Sequence, residues 1–166
     1  MIDRIVDRAA GAIVTLLGLV FIGAVCLNFA NVVGRYAFGR AIFGADEVQT
    51  YIMVWMAFVG AAAVTWRNAH LRMDVLVTSL PAWLQAALRL VELALMIATA
   101  AFVLVQSWRY VGQMAAMDRR SDAAGMPMAV PHAAVAIGFG LILLIALWRL
   151  ARFRAAAREG AARPPT

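Results

Sequence analysis

The fold is decided by residues 31–74, which read NVVGRYAFGRAIFGADEVQTYIMVWMAFVGAAAVTWRNAHLRMD. The run 48–66 carries no charge and is rich in aromatic and small residues. Polar and ionisable residues flank it on both sides, at Asn31, Arg35, Asp46, Glu47, Arg67, His70 and Asp74. Because charged groups close to hydrocarbon are costly without partners or water, we expect this stretch to hold the contacts on which the chain depends.

The composition is that of an integral membrane protein. Of the 166 residues, 64% are hydrophobic and only 14% are charged, whereas a soluble domain has about 25% charged residues. The net charge is +6, and all 15 basic residues are arginine. The arginines stand at the ends of apolar runs, where they set topology. This placement argues against a nucleic-acid-binding protein, which would carry a basic stripe outside the spans.

Four apolar runs are long enough to cross a bilayer. About 20 residues of helix cross the roughly 30 Å hydrocarbon core. The predicted spans cover residues 9–34, 47–66, 82–108 and 131–148. We therefore predict an all-α integral membrane protein with a head at 1–8, a four-helix membrane domain at 9–150 and a basic tail at 151–166.

The arginine distribution predicts the topology. Nine arginines lie in the head, the second loop and the tail, and five lie in the first and third loops. Arg89, inside the third span, is left out of this count. Because arginine-rich segments stay on the cytoplasmic side, we predict that both termini are cytoplasmic.

Two contacts are predicted around the second span. We predict that Arg35 and Glu47 form a polar contact near the outer surface, which holds the first two spans or a partner. Tyr51, Trp55 and Phe58 recur at i, i+4 and i+7, so they share one helix face. This spacing predicts a packed aromatic stripe.

The two histidines do not indicate a haem protein. By the predicted topology, His70 lies on the cytoplasmic side and His132 on the outer side, so they cannot bind one iron. We instead expect Arg67, His70 and Asp74 to form a cytoplasmic turn network. We expect His132 to be a residue of a helix start.

No chemical site emerges from the remaining residues. A nucleophile–base set cannot be assembled, so we expect no catalytic residue, cofactor or metal. A stand-alone ion or drug transporter needs a protonatable acid deep in a span. Glu92 is the one candidate, and pairing with Arg89 at i, i+3 explains it more simply. The residues favour a helical scaffold that packs against a larger membrane protein, with a stand-alone small transporter as the alternative.

The sequence also resembles a known family. Residues 31–38, NVVGRYAF, resemble the N-V-x-x-R-Y-x-F stretch of the small membrane subunit (DctQ-like) of TRAP, or tripartite ATP-independent periplasmic, transporters. The resemblance continues through Glu47, Tyr51, Trp55, Phe58 and 60–62, then through Arg67, His70 and Asp74, and ends with Ser121, 125–128 and Gly138. Two positions depart from the family: Phe43-Gly44 replaces a tryptophan before the acidic pair, and Ala129 replaces an aromatic residue.

The resemblance implies a function and partners. Such subunits pair with a large multi-span permease in the bacterial inner membrane, and sodium binds to that permease rather than to the small subunit. A periplasmic binding protein delivers a carboxylate-containing solute, and the sodium gradient drives its uptake. The small subunit braces the fixed part of an elevator-type permease. The candidate structural or partner-contact residues are Asn31, Arg35, Tyr36, Phe38, Glu47, Tyr51, Trp55, Phe58, Gly60, Arg67, His70 and Asp74.

Overall fold

The computed structural model describes residues 2–67 and 79–161, which form four long helices. These are α1 (Ile2–Ala37), α2 (Ala45–Trp66), α3 (Ala82–Ala116) and α4 (Ala129–Ala161). Each is long and apolar enough to cross a membrane, which confirms the predicted all-α, four-span class. The predicted spans lie inside the helices. Since α1 has 36 residues, or about 54 Å, it exceeds the hydrocarbon core and must tilt or extend into the polar layers.

The helices lie side by side in the order α1, α2, α4, α3. In the described residues, α3 packs against α4, α4 against α2, and α2 against α1. The helices α1 and α3 are therefore the edges of a row, and each has one broad face that no other described helix covers.

Small residues form the contacts between the helices. Among the described residues, nine of the ten buried hydrophobic side chains are alanine, and the tenth is Leu93. Large apolar side chains such as Phe21 and Phe102 point outward, with 55% and 67% of their surface exposed. This pattern is typical of membrane helices, which associate through small residues and turn bulky apolar groups to the lipid.

The closest approach of α2 and α4 occurs at Gly138. A Cβ atom added there would lie 2.7 Å from the Cβ and 2.8 Å from the carbonyl oxygen of Phe58. Ala134, one turn earlier on α4, is completely covered. By contrast, a Cβ atom added at Gly18 of α1 would meet nothing within 4 Å. Of these two glycines, Gly138 is the one that the packing of α2 against α4 requires.

The row has two ends, which carry different structures. We call the end where α1 and α3 finish the hairpin end, because residues 119–128 form a hairpin there, with an isolated antiparallel bridge between Arg120 and Pro127. We call the opposite end the tail end, since α1 begins there and α4 ends there.

Candidate functional site

Asn31 is the centre of the contact between α1 and α2 at the hairpin end. Its side chain is 3% exposed. The Asn31 amide nitrogen donates to Asp46 Oδ1 at 3.1 Å, and its oxygen accepts the backbone N–H of Ile42 at 2.8 Å. One turn earlier, Asn28 donates to Gln49 Oε1 at 2.9 Å, on the exposed surface. A single buried amide therefore joins α1, the first loop and the start of α2.

Arg35 contacts Asp46 rather than Glu47. Its guanidinium lies 3.4 Å from Asp46 Oδ2, and both side chains are exposed. The predicted contact between Arg35 and Glu47 is therefore wrong. Consecutive residues of a helix point about 100° apart, so Asp46 faces α1 while Glu47 faces the other side of α2. Exposed ion pairs of this kind contribute between about zero and 1 kcal/mol.

Glu47 holds the tip of the hairpin. Its two carboxylate oxygens accept the backbone N–H groups of Ala123 and Ala124, at 3.0 and 2.7 Å. A carboxylate is a strong acceptor for such donors. Glu47 thus ties the start of α2 to the loop between α3 and α4.

The hairpin is also closed by its own hydrogen bonds. The backbone N–H of Ser121 donates to the carbonyl of Met126 at 2.9 Å, and that of Met128 donates to Arg119 at 2.8 Å. The Ser121 hydroxyl oxygen accepts the N–H of Met126 at 3.1 Å. Gly125 has φ +63°, a left-handed conformation that favours glycine. The segment 119–128 is therefore a formed structure that Glu47 positions.

The hairpin packs directly on the first turn of α2. Gly44 precedes this turn with φ +76°, and a Cβ atom added to it would lie 3.0 Å from Ala124 Cα. The Tyr51 hydroxyl donates to the sulfur of Met128 at 3.4 Å. A side chain at position 44 would therefore separate the hairpin from α2.

A cavity of about 330 Å³ lies beside the hairpin. It is lined by Glu47, Tyr51, Tyr110, Met114, Arg119, Arg120, Ser121, Asp122 and Met128. Its wall combines charges of both signs with methionine and tyrosine side chains. Such a mixed lining suits contact with a polar protein surface better than the burial of an apolar ligand.

The predicted aromatic stripe divides between two neighbours. Phe58 faces α4, with its ring 5.9 Å from that of Phe139. Trp55 lines an apolar cavity of about 350 Å³ with Leu17 of α1 and other residues. Tyr51 reaches the hairpin. The three residues are each half-buried. Tyr51 and Trp55 line the same cavity, and Phe58 packs against α4, so one packed stripe of all three residues stays a prediction.

The first loop displays aromatic side chains. Tyr36 is 82% exposed and Phe38 is 75% exposed. Phe43, which sequence reasoning did not select, is 84% exposed. Gly60 has a different role, since a Cβ atom there would lie 3.6 Å from Leu17 of α1. The loop aromatics are available to a membrane interface or a partner, whereas Gly60 serves the α1–α2 contact.

The predicted turn network falls mostly outside the described residues. Arg67 is the C-terminal cap of α2, and its backbone N–H donates to the Ala63 carbonyl at 3.2 Å. His70 and Asp74 lie outside the described residues, so the network of these three side chains stays a prediction. His132, as expected, lies in the first turn of α4, with its ring 4.7 Å from that of Tyr110.

Sequence reasoning missed a cluster at the tail end. The Trp66 indole N–H donates to Asp7 at 2.7 Å, and its ring lies 4.8 Å from that of Trp148. The Arg149 guanidinium donates to the carbonyls of Thr65 and Trp66 at 2.5 and 3.0 Å. These carbonyls lie in the last turn of α2, where carbonyl groups run out of helical N–H donors. The cluster joins three helices, and one signal for it was present: Trp66 and Trp148 end two predicted spans on the same side.

The polar side chains of this site hold loops and helix ends in place, and they do not bring reactive groups together. In residues 2–67 and 79–161, no three His, Cys, Asp or Glu side chains are grouped closely enough to hold a metal ion. The polar side chains of the hairpin end bind helix ends and loops. Their combined effect is to fix the first loop and the hairpin relative to α2.

Comparison with known proteins agrees with this architecture. The family described as the DctQ component of tripartite ATP-independent periplasmic transporters matches residues 24–155. A TRAP transporter small permease protein of Haemophilus influenzae is 30% identical over 124 residues, which cover 75% of this chain and 76% of that protein.

Two further relatives are named for a solute. The C4-dicarboxylate TRAP transporter small permease protein DctQ of Vibrio cholerae is 38% identical over 91 residues, covering 54% of this chain and 39% of that protein. The ectoine TRAP transporter small permease protein TeaB of Halomonas elongata is 27% identical over 138 residues, covering 83% of this chain and 70% of that protein. The family match, over residues 24–155, spans the hairpin end and at least part of each of the four helices, and the chain therefore belongs to the DctQ family of small TRAP transporter permease subunits.

Proposed function

We propose that this chain scaffolds the large permease of a TRAP transporter for sodium-driven uptake of a carboxylate-containing solute. Membership of the DctQ family, matched over residues 24–155, carries the proposal, and that family is a transporter component rather than an enzyme. The carboxylate is supported by the Vibrio cholerae relative, which is named for C4-dicarboxylates. In this proposal sodium and solute bind to the large permease, and a periplasmic binding protein delivers the solute.

The proposed orientation places both termini in the cytoplasm and the hairpin end at the periplasmic face of the bacterial inner membrane. The excess of arginine in the head, the second loop and the tail supports it. In this orientation the first loop and the hairpin meet the side from which a binding protein approaches. The formed hairpin and the mixed-charge cavity beside it suit a polar protein partner.

The proposed contact with the large permease involves the hairpin end of α1. Arg35 is exposed, and Tyr36 and Phe38 expose most of their surface. Exposed aromatic and arginine side chains are enriched at protein–protein contacts. The remaining polar residues, Asn31 and Glu47, support this surface from behind by fixing the first loop and the hairpin.

Reconstitution tests the proposal. The large permease is placed in proteoliposomes with or without this chain, and the solute is the one that raises the unfolding temperature of the cognate binding protein. We expect uptake only when both membrane subunits, the binding protein and an inward sodium gradient are present. Sodium-driven uptake by the large permease alone at the same rate would contradict the scaffold role. Transport by this chain alone would favour the alternative, a stand-alone small ion or drug transporter.

A further inference from the structure

The two ends of the chain carry very different charge. Among the described side chains of 1–8, 67–81 and 149–166, the tail end holds five arginines, Arg8, Arg67, Arg149, Arg152 and Arg154, and one acidic residue, Asp7, an excess of four positive charges. The segments of the hairpin end, 35–47 and 109–130, hold five arginines and four acidic residues, an excess of one. In the described part of the chain, the tail end is therefore the more positive of the two.

Aromatic rings organise the arginines of the tail end. The Arg152 guanidinium lies 4.9 Å from the centre of the Trp148 ring, a cation–π distance. Trp148 in turn packs against Trp66. Arg149 is fixed to the last carbonyls of α2. Arg152 thus packs on an indole pair to which α2 and α4 each contribute one ring, and Arg149 binds the adjacent end of α2.

Arg67 extends the same surface toward α1. A Cβ atom added to Gly11 would lie 3.7 Å from the Arg67 guanidinium nitrogen, so this guanidinium lies along the first turns of α1. The nearby carboxylate, Asp7, accepts a hydrogen bond from the Trp66 indole. Arg67, beside α1, and Arg152, on the Trp148 ring, therefore both belong to the tail end, where Asp7 is engaged by the Trp66 indole.

We propose that this tail-end surface, formed by Arg67, Trp66, Trp148 and Arg152, binds the phosphate group of an anionic phospholipid. Tryptophan side chains settle at the headgroup level of a bilayer. Arginine matches the geometry of phosphate oxygens, and basic groups between membrane helices bind anionic headgroups. The lipid holds the ends of α2 and α4 together from the membrane side.

Native mass spectrometry of the full chain in a non-ionic detergent tests this site. Phosphatidylglycerol and phosphatidylcholine with matched acyl chains are the two probes. We expect tighter binding of phosphatidylglycerol, and we expect the double variant Arg67→Gln/Arg152→Gln to lower its affinity by about fivefold for each arginine. The matched variant Arg109→Gln/Arg119→Gln, at the hairpin end, should keep the wild-type affinity.

A charge-preserving variant separates lipid binding from folding. Arg67→Lys/Arg152→Lys should bind phosphatidylglycerol more tightly than the glutamine variant, since it retains both positive charges, and more weakly than the wild type, since an ammonium group lacks the planar fork of the guanidinium. Four results would overturn the proposal. The first is equal affinity for phosphatidylglycerol and phosphatidylcholine, and the second is an equal loss of phosphatidylglycerol affinity in the two glutamine variants. The third is a loss of affinity in the lysine variant as large as that in Arg67→Gln/Arg152→Gln. The fourth is displacement of the lipid by an equal concentration of inorganic phosphate.

Discussion

At the hairpin end, α1, α2 and the loops are joined by amides and carboxylates that bind backbone groups, whereas at the tail end the helices are joined by indoles and guanidinium groups. Of the acceptors at the hairpin end, Asn31 reaches the loop that follows its own helix, and Glu47 reaches the hairpin that follows α3. The donors of the tail end, Arg149 and Trp66, reach a helix terminus and a carboxylate of a neighbouring helix.

The difference matches the roles proposed for the two ends. Backbone-directed hydrogen bonds fix the shape of a loop, and a fixed loop is a precondition for binding another protein with little loss of entropy. Indoles and arginines instead suit the headgroup layer, where an apolar body and a charged tip are both accommodated. The hairpin end thus has the fixed loops that suit a protein contact, and the tail end has the side chains that suit the headgroup layer.

The largest expected effect concerns Gly138, because it lies in the α2–α4 contact on which both ends depend. Gly138→Ala places a Cβ atom against the backbone of Phe58, and we expect a loss of about 2 to 3 kcal/mol in the free energy of unfolding. Gly18→Ala adds the same atom where nothing lies within 4 Å, so it should cost nothing. Denaturation in mixed micelles measures both variants. Equal stability of the two would show that the helices do not approach closely at Gly138.

The next effect separates two similar residues of the hairpin end. Asn31→Ala removes a buried amide, so the N–H of Ile42 and the carboxylate of Asp46 both lose this partner, and we expect a loss of about 2 kcal/mol. Asn28→Ala removes an exposed amide pair with Gln49 and should cost less than about 0.5 kcal/mol. Unfolding midpoints in detergent measure the difference. A larger loss for Asn28→Ala would place the centre of the α1–α2 contact elsewhere.

A smaller effect is expected at the tail end. Arg149→Gln removes the guanidinium that binds the last carbonyls of α2, and since the side chain is half-buried we expect a loss of about 1 kcal/mol. Arg154→Gln, an exposed change five residues further along α4, is the control and should leave the unfolding midpoint unchanged. If Arg149→Gln destabilised the chain more than Asn31→Ala, the tail end would be the more strongly held of the two.

The smallest global effect, and a clear local one, is expected for Glu47→Gln. The amide retains one acceptor oxygen and turns an N–H group toward a donor, so one of the Ala123 and Ala124 N–H groups loses its partner. We expect faster cleavage by trypsin at Arg119 and Arg120 with little change in the unfolding midpoint. Asp46→Asn, one residue earlier, should leave this cleavage rate unchanged. Identical cleavage of Glu47→Gln and the wild type would mean that the hairpin holds its shape unaided.

Much of the fold was predictable from sequence because apolar length determines a membrane span. The position of Gly138 one turn after Ala134 was equally informative, since small residues at that spacing mark a helix contact. The partner of Arg35 was not predictable. Asp46 and Glu47 are adjacent, and the path of the first loop decides which of them faces α1.

The contacts between distant residues were the other gap. Glu47 binds Ala123 and Ala124, which follow it by 76 and 77 positions in the sequence. The local sequence gives no signal that would predict this contact. The pairing of Trp66 with Trp148 was closer to prediction, since each stands at the end of a predicted span and is followed by an arginine. Combining the span ends with the predicted topology would have brought Trp66, Trp148 and Arg149 to one surface.

Purification of the tagged chain from its native membrane in a mild detergent, with its partners identified by mass, tests the scaffold role most directly. We predict that a large multi-span permease is recovered in a fixed ratio to this chain. Recovery of the chain alone, or only with further copies of itself, would contradict that role and would direct attention to Glu92 and a stand-alone transporter.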